Sequence, residues 1–395
     1  MSDDDFPEIT TAPSHSALES HLNSELFWIE LQPFLLSRGY LLRPRFRPGW
    51  VPPWTLPGAG RPLEYEDVIH EARPNVLDAV RVSDGTKVVL KRVRTWTSEI
   101  PLGVYFNRDL EDPHNHTYRL LDIIPLANDD DFALIVMPFL RGFGSPIFRS
   151  VDEVAEAMRQ FLQGIEYMHR HNVAHRDACE LNLMMDATNV IPQGFHFSRP
   201  WTRDGVDYGI EWRARSSVLP VDYFIVDFGL SEYFPEGPQH ARAVGKFGQD
   251  KTVPELSATV PYNPFKVDIY QLGNVFSDLN KKYPPLADHF GTFAALMTRP
   301  NPEERPTAGQ ALSTFEAIYS SLSPADLAER LYLRSPPSPS GSSVLSGEDD
   351  SEFELVSVSG CSDSDSLNHG SSDHGPQESD DNISKDVESL DISPD

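Results

Sequence analysis

The chain has 395 residues, of which 39% are hydrophobic, and it carries a formal net charge of −27. At about 100–200 residues per domain, this length favours two or three domains, or one large two-lobed unit with tails. The excess of acids argues against nucleic acid or an anionic membrane as the main partner, because both need a basic protein face. A run of 18 apolar residues does not occur, so no membrane-spanning helix is expected.

Cysteine is rare, with only Cys179 and Cys361 in the chain. This excludes a disulfide framework and a zinc site built from four cysteines. The first five residues, Met1 to Asp5, include three aspartates and lack the basic and apolar segments of a secretory signal. We therefore expect an intracellular protein, cytoplasmic, nuclear or both.

Both ends of the chain have the composition of disordered segments. Residues 335–395 hold 15 acids, 18 serines and a single basic residue, Lys385. Such a segment cannot bury enough apolar surface to offset its ordering entropy. We predict disorder for residues 1–13 and for an acidic, serine-rich tail over residues 322–395.

Residues 14–62 are predicted to form a helix followed by an extended segment. Leu18, Leu22, Leu26 and Ile29 recur at helical spacing on one face, and Pro33 is expected to interrupt the helix. The proline-rich strap that follows, residues 43–54, carries arginines and tryptophans. Its arginines could bind an anion, but packing of the strap onto the folded body is the favoured interpretation.

The next part of the chain changes from strand-like to helical patterns. Strands are predicted at residues 76–82, 87–93, 120–126 and 132–138, with an Asp-Gly turn signal between the first two. Beyond residue 150 the apolar spacing is helical, and Ser150 and Glu153 form a capping-box pair at its start. A strand-rich lobe followed by a helical lobe is therefore expected.

Five short motifs follow one another in a fixed order. Lys91 lies in the strand VVLKRV, His175-Arg-Asp177 is followed by Asn182, and the apolar strand VDYFIVDFGL contains Asp227-Phe-Gly. Val253-Pro-Glu255 and the segment Asn301 to Arg305 come later. Each motif alone is a weak signal, but the ordered set on the expected strands and loops is strong.

These motifs resemble those of the eukaryotic protein-kinase superfamily, over roughly residues 63–321, and look like a divergent fungal branch of it. The resemblance implies an α+β, bilobal protein-kinase-like fold. The small β-rich N-lobe would span residues 63–140 and the larger, mostly helical C-lobe residues 141–321. It also implies that the protein binds ATP with Mg²⁺ and transfers the γ-phosphoryl group to a protein hydroxyl, with Ser or Thr favoured over Tyr.

The resemblance implies a role for each motif residue. Lys91 would hold the α- and β-phosphates, and a carboxylate from the next helix would pair with it. Glu99 is the candidate for that carboxylate. Glu111 is the alternative, because Pro101 makes this stretch an uncertain helix.

The remaining implied roles concern the catalytic loop, the metal and the base. Asp177 would orient the attacking hydroxyl and accept its proton, whereas Asn182 and Asp227 would hold Mg²⁺, which prefers oxygen ligands. Met137, Phe139 and Leu140 would face the adenine, with Pro138 between them. Glu255 and Arg305 would form an ion pair with a structural and not a catalytic role.

Three features depart from the family pattern. No glycine-rich loop precedes Lys91, and the corresponding stretch, residues 68–75, contains no glycine. Cys179, followed by Glu180, stands where a catalytic-loop lysine is expected; a reactive thiol or a small loop filler would fit, and the filler is favoured. Asp177 and Asp227 are 50 residues apart, which indicates an insertion at residues 187–219. Its mixture of aromatic residues and arginines fits a recognition surface or a loop packed on the large lobe.

Two other functions compete with an active protein kinase. The missing glycines, Cys179 and Glu180 would suit a nucleotide-binding pseudokinase that acts as a scaffold or allosteric module. A small-molecule kinase of the aminoglycoside or choline type would share the Asp-x-x-x-x-Asn loop, but it would lack the Val-Pro-Glu and Arg-Pro-Thr elements found here. The sequence does not identify the protein substrate or the oligomeric state.

Overall fold

The computed structural model describes residues 20–127 and 129–334. Residues 1–13, Leu18 of the predicted helical stripe and residues 335–395 lie outside the described part. Within it, the expected bilobal α+β architecture is confirmed, since a five-stranded sheet precedes a mainly helical lobe. None of the described helices is both long and apolar enough to cross a lipid bilayer.

The amino-terminal lobe is built on an antiparallel sheet in the order β1-β2-β3-β5-β4. The four longer strands match the predicted ones within a few residues. Gly85 has a φ of +73° in the predicted turn, and the Asp84 carboxylate accepts a hydrogen bond from the Thr86 N–H at 3.0 Å. The strands are β1 (Tyr40–Leu41), β2 (Val76–Arg81), β3 (Lys87–Arg94), β4 (Asp122–Leu126) and β5 (Asp129–Pro138).

A first helix, α1 (Asn23–Ser37), packs on the outer face of this sheet, but with a different side from the predicted one. Leu22 and Leu26 of the predicted stripe are 39% and 44% exposed. Pro33 does not end the helix. It lies on the exposed side, where water can satisfy the carbonyl that loses its hydrogen bond. The buried residues are Glu25, Trp28, Gln32 and Leu35.

The β1–β2 connection, residues 42–75, runs through four single 3₁₀ turns instead of a short loop. The buried Arg45 guanidinium donates two hydrogen bonds of 2.9 Å to the Glu25 carboxylate, so the strap packs as the favoured interpretation held. Trp28, Phe46 and Leu77 belong to one hydrophobic cluster. Side chains between residues 27 and 46 therefore share a core with the sheet, and the predicted boundary at residue 62 separates no independently packed unit.

Helix α2 (Glu99–Phe106) follows β3, and the carboxy-terminal lobe begins with β6 (Arg141–Gly142) and α3 (Val151–Arg170). Helix α3 starts after Ser150 as predicted, but the capping box is not formed. The Glu153 carboxylate accepts from the N–H groups of Arg149 at 2.9 Å and Ser216 at 3.2 Å, while the Ser150 hydroxyl donates to Asp152. The capping box does not form because the Glu153 carboxylate is used in these other contacts, which the local sequence does not indicate.

The rest of this lobe consists of short strand pairs and a helical core. The strand predicted at residues 221–230 is limited to β9, because the chain turns at Asp227, whose φ is +70°. The short strands are β7 (Val173–Ala174), β8 (Leu183–Met185), β9 (Tyr223–Ile225), β10 (Glu232–Tyr233), β11 (Ala243–Gly245) and β12 (Ser257–Tyr262). They pair as β6-β8-β9, β7-β10 and β11-β12. The helices are α4 (Pro264–Lys282), α5 (Pro285–Met297), α6 (Ala308–Ser321) and α7 (Pro324–Leu327).

The folded lobe extends beyond the predicted start of the tail at residue 322. Helix α7 lies in this stretch, and Leu331 is only 6% exposed. The Val151 N–H donates to the Glu329 carbonyl at 3.1 Å, and the Leu331 N–H donates to the Arg149 carbonyl at 2.9 Å. Residues 322–331 thus pack against the start of α3, and the predicted boundary is too early.

Candidate active site

An ion cluster joins β3, α2 and the segment after β9. Lys91 Nζ lies 3.0 Å from Glu99 Oε1 and 2.9 Å from Asp227 Oδ1. Glu99 is almost fully buried, whereas Glu111 lies exposed in a turn beyond α2. The structure therefore brings Lys91 together with Glu99, and the alternative partner Glu111 is wrong.

The cluster keeps opposite charges on Lys91 and Asp227. Burial raises the pKa of the Glu99 carboxyl to about 7, although the Lys91 ammonium acts in the opposite direction. Burial disfavours the charge on Lys91, but the carboxylates of Glu99 and Asp227 outweigh it, and the pKa of Lys91 is raised. Burial likewise disfavours the charge on Asp227, yet Lys91 holds the pKa of that carboxyl below its usual value. Lys91 is thus a cation and Asp227 an anion at neutral pH.

The Asp227-Phe228-Gly229 turn is fixed by packing on both sides. Phe228 is fully buried, stacked on Tyr118 at 5.0 Å and edge-on to Phe106 at 5.5 Å. A side chain on Gly229 would approach Asp227 Oδ1 to 3.1 Å and Glu99 Oε2 to 3.2 Å, so a glycine fits best beside the cluster. The positive φ of Asp227 is costly for a residue with a Cβ and is held by these surroundings.

The catalytic-loop residues are oriented from two directions. Asp177 Oδ2 accepts a hydrogen bond from Asn182 Nδ2 at 3.1 Å, and Oδ1 accepts one from the Gln249 N–H at 2.7 Å. The fully buried Asp268 of α4 accepts from the N–H groups of His175 at 2.8 Å and Arg176 at 2.6 Å. Sequence reasoning assigned no role to Asp268. The signal was a single acid on the apolar side of a helix.

Asn182 and Asp227 have the donor atoms that Mg²⁺ requires. The amide nitrogen of Asn182 donates to Asp177, which leaves its amide oxygen as a ligand. The contacts of Asp227 with Lys91 and the Gly229 N–H both involve Oδ1, which leaves Oδ2, and the side chain is 45% exposed. A carboxylate and an amide oxygen, completed by substrate phosphates and water, suit this hard cation. The residues present therefore fit a magnesium ion.

The residues expected to face adenine do not all point the same way. Met137 pairs with Val89 across β3 and β5, and alternation puts both side chains on the face that carries Lys91. Phe139 instead stacks on Phe195 of the insertion, with ring centroids 4.7 Å apart. Leu140 follows, half-buried, between the lobes. The Phe139 side chain thus packs against the insertion and does not face the expected adenine position.

Cys179 is a buried part of the loop. Burial raises the pKa of its thiol to about 12, so the thiol is protonated at neutral pH. This supports the interpretation of Cys179 as a loop filler. Glu180 begins a 3₁₀ turn, Glu180–Asn182, and its carboxylate points toward Gly144 on the segment after β6.

Two ion pairs brace the segment between Asp227 and α4. Arg305 is 2% exposed and donates to both oxygens of the Glu255 carboxylate, at 2.6 and 2.8 Å. This is the structural pair that the resemblance implied. Arg176 Nη1 lies 2.5 Å from Oε2 of Glu232 on β10. The sequence motifs did not reveal this partner.

The insertion connects β8 to β9 and contacts both lobes. Arg141 lies 4.8 Å from the Phe195 ring and 4.9 Å from the Trp201 ring, and its Nη1 donates to the Pro200 carbonyl at 2.6 Å. Other residues of the insertion contact the β1–β2 connection. It is therefore neither a free recognition surface nor a loop confined to the large lobe.

Comparison with known proteins agrees with this geometry. A family model described as the protein kinase domain matches residues 75–295, more than half of the chain. The chain belongs to the protein kinase domain family. The match covers Lys91, the catalytic loop and the Asp227 turn, whereas α1 and most of the β1–β2 connection precede it.

Curated relatives of this kinase-family chain are distant. A probable myosin light chain kinase of Dictyostelium discoideum is 23% identical over 240 residues, 52% of this chain and 54% of the relative. An SNF1-related protein kinase catalytic subunit alpha of Arabidopsis thaliana is 23% identical over 257 residues, 57% and 44% of the two chains. A DNA damage response protein kinase of Saccharomyces cerevisiae is 25% identical over 140 residues, 35% and 24%. The chain thus spans about half, or less, of the length of these relatives.

A solved structure, titled as the crystal structure of Rad53 kinase domain and SCD2, is 19% identical to this chain. The two superpose with a TM-score of 0.39, covering 63% of this chain and 88% of that one.

Proposed function

We propose that this chain is an active intracellular protein kinase that transfers the γ-phosphoryl group of ATP to a hydroxyl of a protein substrate. Serine and threonine are proposed over tyrosine on the family resemblance alone, because the catalytic loop, with Cys179 in the lysine position, carries the signature residues of neither class. The observation that carries the proposal is the Lys91 cluster, with Nζ 3.0 Å from Glu99 and 2.9 Å from Asp227. The relatives, which are named as protein kinases, support the same reaction class.

The residues divide the reaction between them. Asp177 would accept the proton of the attacking hydroxyl as its oxygen bonds to the γ-phosphorus and the bond to the bridging oxygen breaks, releasing ADP. Lys91, oriented by Glu99, would position the α- and β-phosphates. Magnesium bound by Asn182 and Asp227 would supply neutralisation of the phosphate charge. Catalysis of this kind depends on positioning and electrostatics, which suits a site whose groups are already in contact.

A nucleotide-binding pseudokinase is the second candidate. The observation that favours it is the β1–β2 connection, which has no glycine in residues 68–75 to bring backbone N–H groups close to phosphates. Cys179 also removes the positive charge that a catalytic-loop lysine would bring near the γ-phosphate. This candidate would retain nucleotide binding without phosphoryl transfer.

One assay separates the two candidates. The purified full chain is incubated with labelled ATP and Mg²⁺, and phosphate incorporation into the chain and into a serine/threonine peptide library is measured with ADP formation. We expect transfer by the wild type and none by Asp227→Asn, which keeps the shape of the side chain but loses its charge. Stabilisation by ATP in a thermal-shift measurement without any transfer would support the pseudokinase instead.

A further inference from the structure

The β1–β2 connection reaches the side of the sheet that faces the nucleotide in the proposed function. Asp78, Val89 and Met137 are cross-strand neighbours, and alternation places them on the same face as Lys91. Asp78 is 6% and Val89 is 7% exposed, so this face is covered by the chain itself. Arg43, which follows β1, approaches Asp78 Oδ1 with its Nε at 2.9 Å.

The insertion, which belongs to the carboxy-terminal lobe, forms hydrogen bonds with the same β1–β2 connection. Ser198 Oγ donates to Glu71 Oε2 at 2.5 Å, and Arg43 Nη2 lies 3.8 Å from that oxygen. His196 Nε2 lies 3.1 Å from Glu66 Oε1 and 3.4 Å from Arg43 Nη1. Glu71 is 3% exposed, so its carboxylate depends on protein partners in place of water: on Ser198, on Arg43 and on Arg73, which donates to both carboxylate oxygens at 2.9 and 3.2 Å.

The insertion also contacts residues beside the link between β5 and β6. Lys87 shares the sheet face of Val89 and Lys91, and its Nζ donates to the Phe195 carbonyl at 3.1 Å. The Phe195 ring stacks on Phe139. The guanidinium of Arg73 lies 4.2 Å from the centre of the Phe197 ring. The insertion therefore bridges the two lobes beside residues 139–140, where the chain passes from β5 of the amino-terminal lobe to β6 of the carboxy-terminal lobe.

We propose that residues 195–198 of the insertion and Arg43, Glu66, Glu71 and Arg73 of the connection form a lock that closes the nucleotide cleft. The lock must open before a nucleotide enters or leaves, because it holds the connection against the base-facing side of the sheet and ties the lobes together. This inference rests on the proposed use of ATP. It assigns the β1–β2 connection, which has no glycine in residues 68–75, a gating role in place of the phosphate contacts of a glycine-rich loop.

Ser198 offers a mild way to weaken the lock. Ser198→Ala removes the hydroxyl donor and leaves Glu71 Oε2 with one partner fewer in a buried position. Because Arg73 still donates to both oxygens of the Glu71 carboxylate in this variant, we expect the opening equilibrium to change by only about threefold to tenfold. Ser217→Ala is a matched control, since Ser217 lies in the same insertion but is exposed and donates only locally, to the Ala214 carbonyl at 2.7 Å.

Amide hydrogen exchange tests the lock without any nucleotide. In the full chain, Ser198→Ala should speed exchange in residues 66–73 and 195–203 by about threefold to tenfold, whereas Ser217→Ala should match the wild type. Phe197→Ala, which removes the ring beneath Arg73, should act in the same direction. Unchanged exchange in both lock variants would overturn the lock.

Stopped-flow binding of a fluorescent ATP analogue with Mg²⁺ tests the gate. If opening precedes binding, the observed association rate of the wild type should level off at high analogue concentration, and Ser198→Ala should raise that plateau by about threefold to tenfold. A rate that rises linearly and identically in wild type, Ser198→Ala and Ser217→Ala would overturn the gate. Faster exchange in Ser198→Ala without analogue binding to any variant would refute the proposed kinase function while the lock itself stands.

Discussion

Individual residues at the Lys91 cluster have separate tasks, and substitutions that keep shape while removing charge can distinguish them. Asp177 hydrogen-bonds to Asn182 and to the Gln249 backbone but not to Lys91, whereas Asp227 contacts Lys91 directly. Arg176 and Asp227 both adopt positive φ in the described chain, at 68° and 70°. Such strain at non-glycine residues is typical of functional sites.

We predict that Asp177→Asn lowers the phosphoryl-transfer rate by about 10²–10⁴-fold while ATP·Mg²⁺ binding stays close to that of the wild type. Asp227→Asn should lose both, since it removes a metal-binding charge and a partner of Lys91. Transfer rates and calorimetric titration with ATP·Mg²⁺ measure the two effects. Near wild-type transfer by Asp177→Asn would refute the role given to this residue.

The thiol of Cys179 should be unreactive in the folded protein. With its pKa raised to about 12 by burial, the thiolate fraction at pH 8 is about one part in ten thousand. Iodoacetamide at pH 8 should leave Cys179 unmodified until the protein is unfolded in guanidinium chloride, as mass spectrometry of its peptide will show. Rapid labelling of the native protein would instead mean that this loop opens or that the thiol is activated.

At the scale of elements, the segment from β10 to β12 contains its own counter-ion for the catalytic-loop arginine. Arg176 lies 2.5 Å from Glu232, and no Ser, Thr or Tyr occurs between Phe234 and Lys251. Kinases that switch by phosphorylation of this segment order it through new arginine–phosphate pairs. In this protein the Glu232 carboxylate already forms an ion pair with Arg176, so no phosphate is needed to neutralise that side chain.

We therefore predict that activity does not require phosphorylation of this segment. Phosphatase treatment should leave the transfer rate unchanged. Thr252→Val should also retain it, because no phosphate on this hydroxyl is needed; the variant loses only local hydrogen bonds, to Asp250 at 2.7 Å and from Asn274 at 2.8 Å. Glu232→Gln should lower the rate by weakening the pair with Arg176. Mass spectrometry that finds an obligatory phosphate on Thr252 in the active protein would contradict this view.

Element existence was predictable where the signal is local, and element packing was not. The alternating strands and the Asp84-Gly85 turn depend on neighbouring residues, and they were found within a few positions. The buried face of α1 is set by its tertiary contacts with the sheet, and the helix sequence alone does not specify them. The polar Glu25 is buried there because Arg45 pairs with its carboxylate, and the buried Gln32 accepts a hydrogen bond from the Leu42 N–H with its amide oxygen; no helical stripe of leucines indicates either contact.

For the candidate site, too, the residues in local motifs were predictable and the contacts between distant segments were not. The resemblance to protein kinases indicated Lys91, Asp177, Asn182 and Asp227 as candidates, because that family carries those residue types in that order. The lock could not be predicted, since Arg43 and Ser198 are 155 positions apart and their contact depends on how two irregular segments fold. The partner Glu232 was missed because an isolated acid after a strand has no pattern of its own.

At the scale of the whole molecule, α1 completes the amino-terminal lobe and is not a separate appendage. The apolar outer face of the sheet, which includes Leu77, Val88 and Leu134, is fully buried in a cluster with Trp28 and Leu35. The indole N–H of Trp28 also donates to the Pro74 carbonyl at 3.1 Å, at the end of the β1–β2 connection. Removing residues 1–62, at the boundary expected from the sequence, would expose this face, so the shortened chain should aggregate.

Paired substitutions on α1 test which of its sides stabilises the lobe. Trp28→Ala should lower the free energy of unfolding by about 3–5 kcal/mol, because it leaves a large cavity against the sheet and removes the hydrogen bond to Pro74. Leu26→Ala, on the same helix but 44% exposed, should change it by only about 0.5 kcal/mol. Guanidinium denaturation followed by Trp fluorescence and far-UV circular dichroism measures both, with circular dichroism deciding for Trp28→Ala. Equal midpoints for the two variants would contradict the packing of α1 on the sheet through Trp28.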